Sequence, residues 1–352
     1  MTAEGGREAA ARLGSRLVLR SVRRAPSFVA AFSACGFLAL PPVPPAAAQT
    51  RPSAFSPTTE QTLYPLRRLA AGVYAVLGDS GKGAEGRPNA GFIETKDGVV
   101  VVGGLASPAQ ARAVLRTIRT RTRQPIRWLV LYAHHPDMHF GAIELKRAGA
   151  QVIAHPDRRV LAAEGGPDAM VADWDGVVGL PEMIGFEFAD TPDRPVTGWD
   201  TLRLGGREIV VFHPGPAHSN GDLLVWLPAE RVLFTGDILV EDGVTMVVDG
   251  NSGILLRTLD LIDSLGPRVI VPGHGRIPAE PGELVRRTRG YVIELRDRMR
   301  AAVAAGRSMR EALAALPPAD ADRPVSLHSR QRRNAVRVYL EMEREAMGFE
   351  NE

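Results

Sequence analysis

The sequence predicts an α/β sandwich, two βα-rich halves with helices on the outside of packed sheets. Three observations carry that expectation. Short apolar runs alternate with helical stretches from residue 66 to 275 of the 352-residue chain. The run at 126–131 is apolar almost without a break, as in a strand buried on both faces. The composition, 45% hydrophobic and 24% charged, is that of an ordinary globular protein and excludes wholesale disorder.

Taken in order, residues 72–77, 90–94 and 99–102 read as strands, with a Gly-rich loop at 78–88 between the first two. Ser107-Pro108 opens an amphipathic helix to about residue 120, serine as N-cap and proline in the first turn. The strand at 126–131 follows, then a helix over 141–148 and a strand at 151–154. Strands at 202–204, 208–212, 223–227 and 231–234 begin the second half; a helix at 255–264 and a strand at 268–271 complete it. Residues 282–304 and 331–347 read as helices, with Glu and Arg placed for i,i+4 pairs. The intervening segments 162–195 and 241–253, like 78–88, read as loops.

Residues 1–48 stand apart. Arginines end at Arg23-Arg24, an apolar stretch covers 28–40, and Ala46-Ala47-Ala48 follows. That order predicts a secretory signal peptide cleaved after Ala48, hence a periplasmic or secreted protein. Cleavage would remove Cys35, the single cysteine, leaving no thiol as nucleophile or metal ligand. Residues 49–62 read as a Pro/Ser/Thr-rich linker. Six of the 43 basic groups but only two of the 40 acidic ones fall in residues 1–48, so the remainder is near neutral and no nucleic-acid partner is expected. No apolar run reaches the ~18 residues of a membrane-spanning helix.

The histidines carry the functional signal. His134, His135 and His139 cluster with Asp137 directly after the buried strand; His218, Asp237 and His274 each stand where another apolar run ends. Strand ends are rigid while the loops that follow carry chemistry. Imidazole and carboxylate together suit Zn²⁺, and Fe or Mn less selectively. His155, His213 and His328 read singly as hydrogen-bonded turn residues.

Four segments resemble the metallo-β-lactamase superfamily: Ala133-His134-His135-Pro136-Asp137-Met138-His139-Phe140-Gly141, Gly215-Pro216-Ala217-His218, Leu233-Phe234-Thr235-Gly236-Asp237 and Pro272-Gly273-His274-Gly275. The resemblance implies an αββα sandwich of two mixed β-sheets flanked by helices, with extra C-terminal helices. It divides the chain into signal peptide 1–48, linker 49–62, superfamily domain 63–280 and helical extension 281–352. The Ala217-His218-Ser219-Asn220-Gly221-Asp222 segment and the C-terminal helices are similar to the SoxH-like branch, which includes the quinoprotein relay system zinc metallohydrolases.

The first segment departs from the family pattern HxHxDH. In one register His135 and Asp137 match, while Ala133 and Met138 stand where histidines belong. Shifting by one matches His134 and His139, but Pro136 and Met138 then replace a His and the Asp. No register restores all four ligands. The first implies one site of His135 and His218, a second of Asp137 and His274, and Asp237 bridging them, with His134 or His139 as substitute ligands. The implied activity is a zinc hydrolase cleaving an ester, amide, lactam or thioester-type bond of a small molecule. Its nucleophile would be hydroxide at the metal, held by Asp237 and Asp137. The competing expectation is a binding or relay partner in a periplasmic quinoprotein system. Ser219 and Asp222 are expected to support the ligands, and Gly103-Gly104 occupies the place of a supporting Asp-containing turn. The Arg-rich stretch 323–337 reads as a solvated helix face rather than an anion site.

Overall fold

The computed structural model describes residues 64–78, 87–157, 166–189, 191–241, 243–317 and 325–349. The expected signal peptide and linker, and most of the loop at 78–88, lie outside them.

A seven-stranded sheet forms first. β1 (Leu66–Ala70), β2 (Val73–Val76), β3 (Ala90–Thr95) and β4 (Gly98–Val102) run antiparallel. Helix α1 (Pro108–Arg119) leads to β5 (Ile126–Val130); α2 (Pro136–His139) and α3 (Ala142–Arg147) lead to β6 (Gln151–Ala154); α4 (Gly166–Val178) and α5 (Leu180–Met183) lead to β7 (Arg194–Pro195). These last strands pair in parallel, as helical crossovers require. A second sheet of five strands follows among the described residues. β8 (Trp199–Leu204), β9 (Arg207–Phe212), β10 (Leu224–Leu227) and β11 (Val232–Val240) are antiparallel. Helix α6 (Ser252–Leu265) crosses to β12 (Val269–His274), parallel to β11. Three helices follow: α7 (Pro281–Ala304), α8 (Met309–Ala314) and α9 (Val325–Ala346).

Strand alternation explains the layers. Val73, Ile93, Val100 and Val130 of the first sheet meet Ile209, Val225, Phe234 and Val271 of the second in one buried core. The opposite face of the first sheet packs on α1 and α3 through Val101, Leu129, Val114 and Leu145. The second sheet packs on α6, α7 and α9 through Leu233, Leu255, Val292 and Val338. Two mixed sheets between helical layers are the αββα sandwich that the resemblance implied.

Four features differ from the expectation. Arg67-Arg68 interrupts the apolar signal of β1, which borders only β2. The segment read as a loop at 162–195 holds α4 and α5, and the weak helical periodicity of α4 gives it no clear signal in the sequence. β11 continues past Phe234 to Val240 because a register shift at Gly236 lets the strand bend and go on. Helix α8 opens with a reciprocal cap in which Ser308 N–H donates to Glu311 Oε2 at 2.8 Å, a Ser-x-x-Glu signature legible in the sequence.

Candidate metal centre

Every strand that leads to the site ends at the same edge of the sandwich. His135 and Asp137 flank the start of α2, just after β5. His218 lies between β9 and β10, Asp237 within β11, and His274 at the end of β12. The parallel pairing of β11 with β12 brings the last two together, and Gly273 makes the approach feasible: a Cβ there would fall 2.0 Å from Asp237 Oδ1.

Asp137, Asp237 and His274 form one cluster, their ligand atoms all within 4.8 Å of one another. His274 Nε2 is 2.8 Å from Asp137 Oδ2 and 3.7 Å from Asp237 Oδ1. That buried Asp237 oxygen accepts no hydrogen bond among the described residues. His135 Nδ1 and His218 Nε2 face each other at 3.0 Å, and His218 Nε2 is 4.0 Å from Asp237 Oδ2. Asp237 thus stands beside both groups.

Outer contacts set the tautomers. His218 Nδ1–H donates to Met246 O at 2.8 Å, leaving Nε2 with a lone pair in the neutral ring. His135 Nε2 donates to Asp249 Oδ2 at 3.0 Å, leaving the lone pair on Nδ1. Two lone pairs aimed at one another repel unless a cation or a proton lies between them. Carboxylate and carbonyl acceptors behind histidines are how metal-ligating imidazoles are oriented. The unbonded Asp237 oxygen and the paired ring nitrogens therefore fit a bound divalent ion.

The electrostatics agree. Burial opposes charge on Asp137, but the hydrogen bond from His274 and the charges of His274, His135 and His218 outweigh it and hold the carboxyl below its ordinary value. Burial also opposes protonation of His135 and His274. For His135 the Asp249 bond and the charges of Asp137, Asp249 and Asp237 prevail; for His274, Asp237 and Asp137 prevail, and both pKa values rise above 6.5. The His135 bond holds Asp249 low. Burial, and then the Asp237 charge, raises the Tyr132 phenol.

Backbone clamps fix the loops. The Asp222 carboxylate accepts the N–H groups of Ala217, His218 and Ser219 at 3.1, 2.7 and 3.0 Å, and the Ser219 hydroxyl at 2.6 Å. Both residues are buried. Asp222 thus supports His218 through its main chain rather than its ring. Buried Asn89 donates to Pro272 O and Gly275 O at 2.9 and 2.8 Å, bracketing His274. At Gly104, whose N–H donates to Met138 O, a Cβ would lie 2.5 Å from that oxygen, so the turn has no space for an acidic side chain.

The structure does not bring His134 or His139 to the cluster. Both are buried, their rings 5.3 Å apart edge to face, and His134 Nε2–H donates to His155 O at 2.8 Å. Neither borders the cavity that opens over the cluster. Ala133 and Met138, which stand where the family pattern has histidines, are buried apolar groups. His155 and His213 are turn residues as expected: Asp157 N–H donates to His155 Nδ1 at 3.1 Å, and His213 Nδ1–H donates to Asp222 O at 2.7 Å.

That cavity measures about 430 Å³ and is bordered by His135, Asp137, His218, Asp237, Asp249 and two arginines of α9, Arg330 and Arg333. Sequence reasoning missed Asp249, Asn89 and both arginines as site residues. Asp249 follows no strand and reads as an ordinary loop acid. A long-range fold places the other three there, and the Arg-rich stretch marks the two arginines only as charge.

The αββα topology, with histidines and carboxylates gathered at one edge, points to one superfamily. The model of the metallo-β-lactamase superfamily matches residues 83–274, and the chain belongs to that superfamily. A type 2 metallo-β-lactamase from Bacteroides fragilis is 32% identical over 89 residues, 24% of this chain and 36% of that protein. An atrochrysone carboxyl ACP thioesterase from Aspergillus chevalieri is 26% identical over 168 residues, 42% of this chain and 52% of that one. Both matches thus span only about a third to a half of the curated relatives. Among solved structures, a metallo-β-lactamase family protein from Thermus thermophilus has 18% identity and a TM-score of 0.59, covering 80% of this chain and 95% of that one. A stereoselective inverting sec-alkylsulfatase from a Pseudomonas species has 18% identity and a TM-score of 0.58, covering 82% and 51%. At that identity the two structures attest the fold.

Proposed function

We propose that this chain is an exported metal-dependent hydrolase, zinc being the ion its ligand chemistry favours, that cleaves an ester, thioester, lactam or amide bond of a small molecule. One observation carries the reading: Asp137, Asp237 and His274 converge within 4.8 Å beside a His135–His218 pair whose ring nitrogens face each other. Asp137 and His274 would hold one ion, His135 and His218 another, with Asp237 between them. Such an ion, when bound, polarises a carbonyl and lowers the pKa of water. The chain's own groups do the rest. Asp237, whose Oδ1 accepts no hydrogen bond among the described residues, stands between the two groups and would hold both ions. Asp137, ionised through its contact with His274, orients that water. Asp249 and the Met246 carbonyl keep His135 and His218 in their ligating tautomers.

Metal analysis of the mature protein, purified without added metal, tests this. We expect about one to two equivalents of zinc per chain, lost in His218→Ala and His274→Ala. Hydrolysis of aryl ester or thioester probes should fall with the metal and return when it is restored.

A second reading draws on Ala133 and Met138, which remove two imidazoles from the family pattern. On that reading the chain is a binding or relay partner beside a periplasmic quinoprotein dehydrogenase. Less than about a tenth of an equivalent of metal, with a melting temperature indifferent to chelator, would select it. Export rests on the leader pattern of residues 1–48, and N-terminal sequencing should find a mature chain beginning at Gln49.

A further inference from the structure

The cavity over the metal centre divides by chemistry. Trp174 and Val177 of α4 form one apolar wall, and Val240, Val244, Met246 and Val248 from the end of β11 and the loop beyond it form another. Ser329, Arg330 and Arg333 of α9 complete the border. Arginines three apart lie on one helix face, so both side chains belong to the same side of the cavity.

Helix α9 is fixed to the cavity wall. Buried Asn334, one residue beyond Arg333, accepts Val247 N–H at 2.9 Å and donates to Thr245 O at 2.8 Å and to Tyr291 Oη at 3.0 Å. Arg337 Nη2 donates to Gly250 O at 2.6 Å. The helix therefore holds Arg330 and Arg333 against the loop that carries Met246 and Asp249. Guanidinium forks recognise oxyanions, and the valine, methionine and tryptophan walls recognise an alkyl or aryl chain.

We propose that the substrate is an anionic amphiphile: an acyl compound with an apolar chain and, apart from the bond that is cleaved, an oxyanion bound by Arg330 and Arg333. The assignment rests on the hydrolase reading above and narrows it. Binding through α9 also gives the C-terminal extension, which lies beyond the segment the family model matches, a share in selecting substrate beside the apolar walls.

Two measurements on the metal-loaded protein test this. In the first, para-nitrophenyl octanoate is compared with the para-nitrophenyl monoester of suberic acid, which has the same chain length and adds a terminal carboxylate. Two charge-assisted bonds should raise kcat/KM for the charged ester about tenfold or more. Arg330→Gln with Arg333→Gln should bring the ratio of kcat/KM for the charged ester over the octanoate down to about one. Arg332→Gln, an exposed residue of the same helix outside the cavity, should keep the preference. The second is calorimetric titration with octanesulfonate, which has no hydrolysable bond, against octanol. Octanesulfonate should bind more tightly, and the double variant should weaken it about tenfold with octanol unchanged. Equal rates for the two esters, or equal octanesulfonate affinity in wild type and double variant, overturn the proposal. If neither ester is cleaved but octanesulfonate binds as expected, the anion site stands and the hydrolase reading of these bonds fails.

Discussion

Asp249 shows how one residue outside every motif controls the site. Its carboxylate accepts a hydrogen bond from His135 Nε2–H and thereby leaves the ring's lone pair on Nδ1, facing His218. Asp249→Asn keeps the shape but loses the charge. Removing such an outer partner weakens metal binding about 10- to 100-fold, and competition with a chromogenic chelator should read that loss. The protons of His135 and His274 compete for the same lone pairs. Because both pKa values lie above 6.5 in the metal-free protein, apparent metal affinity should begin to fall above pH 6.5 as acid is added, and continue below it. An affinity flat from pH 8 to about 6 would show that these rings are not ligands.

At the scale of elements, legibility followed locality. Ser107 caps α1 as expected, accepting Gln110 N–H at 3.1 Å, because a cap needs only neighbours three residues away. The strands leading to His135, Asp237 and His274 were legible because double burial writes itself as apolar runs. The loop around His218 was legible as a motif, yet its mechanical basis, Asp222 gathering three backbone N–H groups, becomes visible only in three dimensions. His134 and His139, expected as substitute ligands, pack edge to face on one another and stand outside the Asp137, Asp237 and His274 group. Asn334 was illegible, since its partners lie 87 and 89 residues away. Asn334→Ala would strand Val247 N–H and Thr245 O in a buried setting. We expect a loss of about 2–4 kcal/mol in urea unfolding, with weaker metal binding because Met246, in the same turn, holds His218.

For the whole molecule, the pKa shifts set a stability window without metal. Asp137 and Asp249 have folded pKa values below 3.8; their contribution is present above that value and is lost as pH falls through the lowered ones. His135 and His274 have folded values above 6.5; theirs is present below 6.5 and is lost as pH rises through the raised ones. The metal-free protein should therefore melt highest between about pH 4 and 6.5. Metal that binds the deprotonated rings should move the maximum upward. Melting curves with and without chelator across that range check both statements.

The bond from Met246 O to His218, in a turn that Asn334 braces, has a practical consequence for anyone trimming the gene. Cutting at residue 280 would also withdraw the strut behind His218, so such a fragment should bind metal more weakly than the full chain even where it stays folded. The tail then acts less as an appendage than as a keystone, and changes far from the histidines, at the last helix, become a way to tune how firmly they grip.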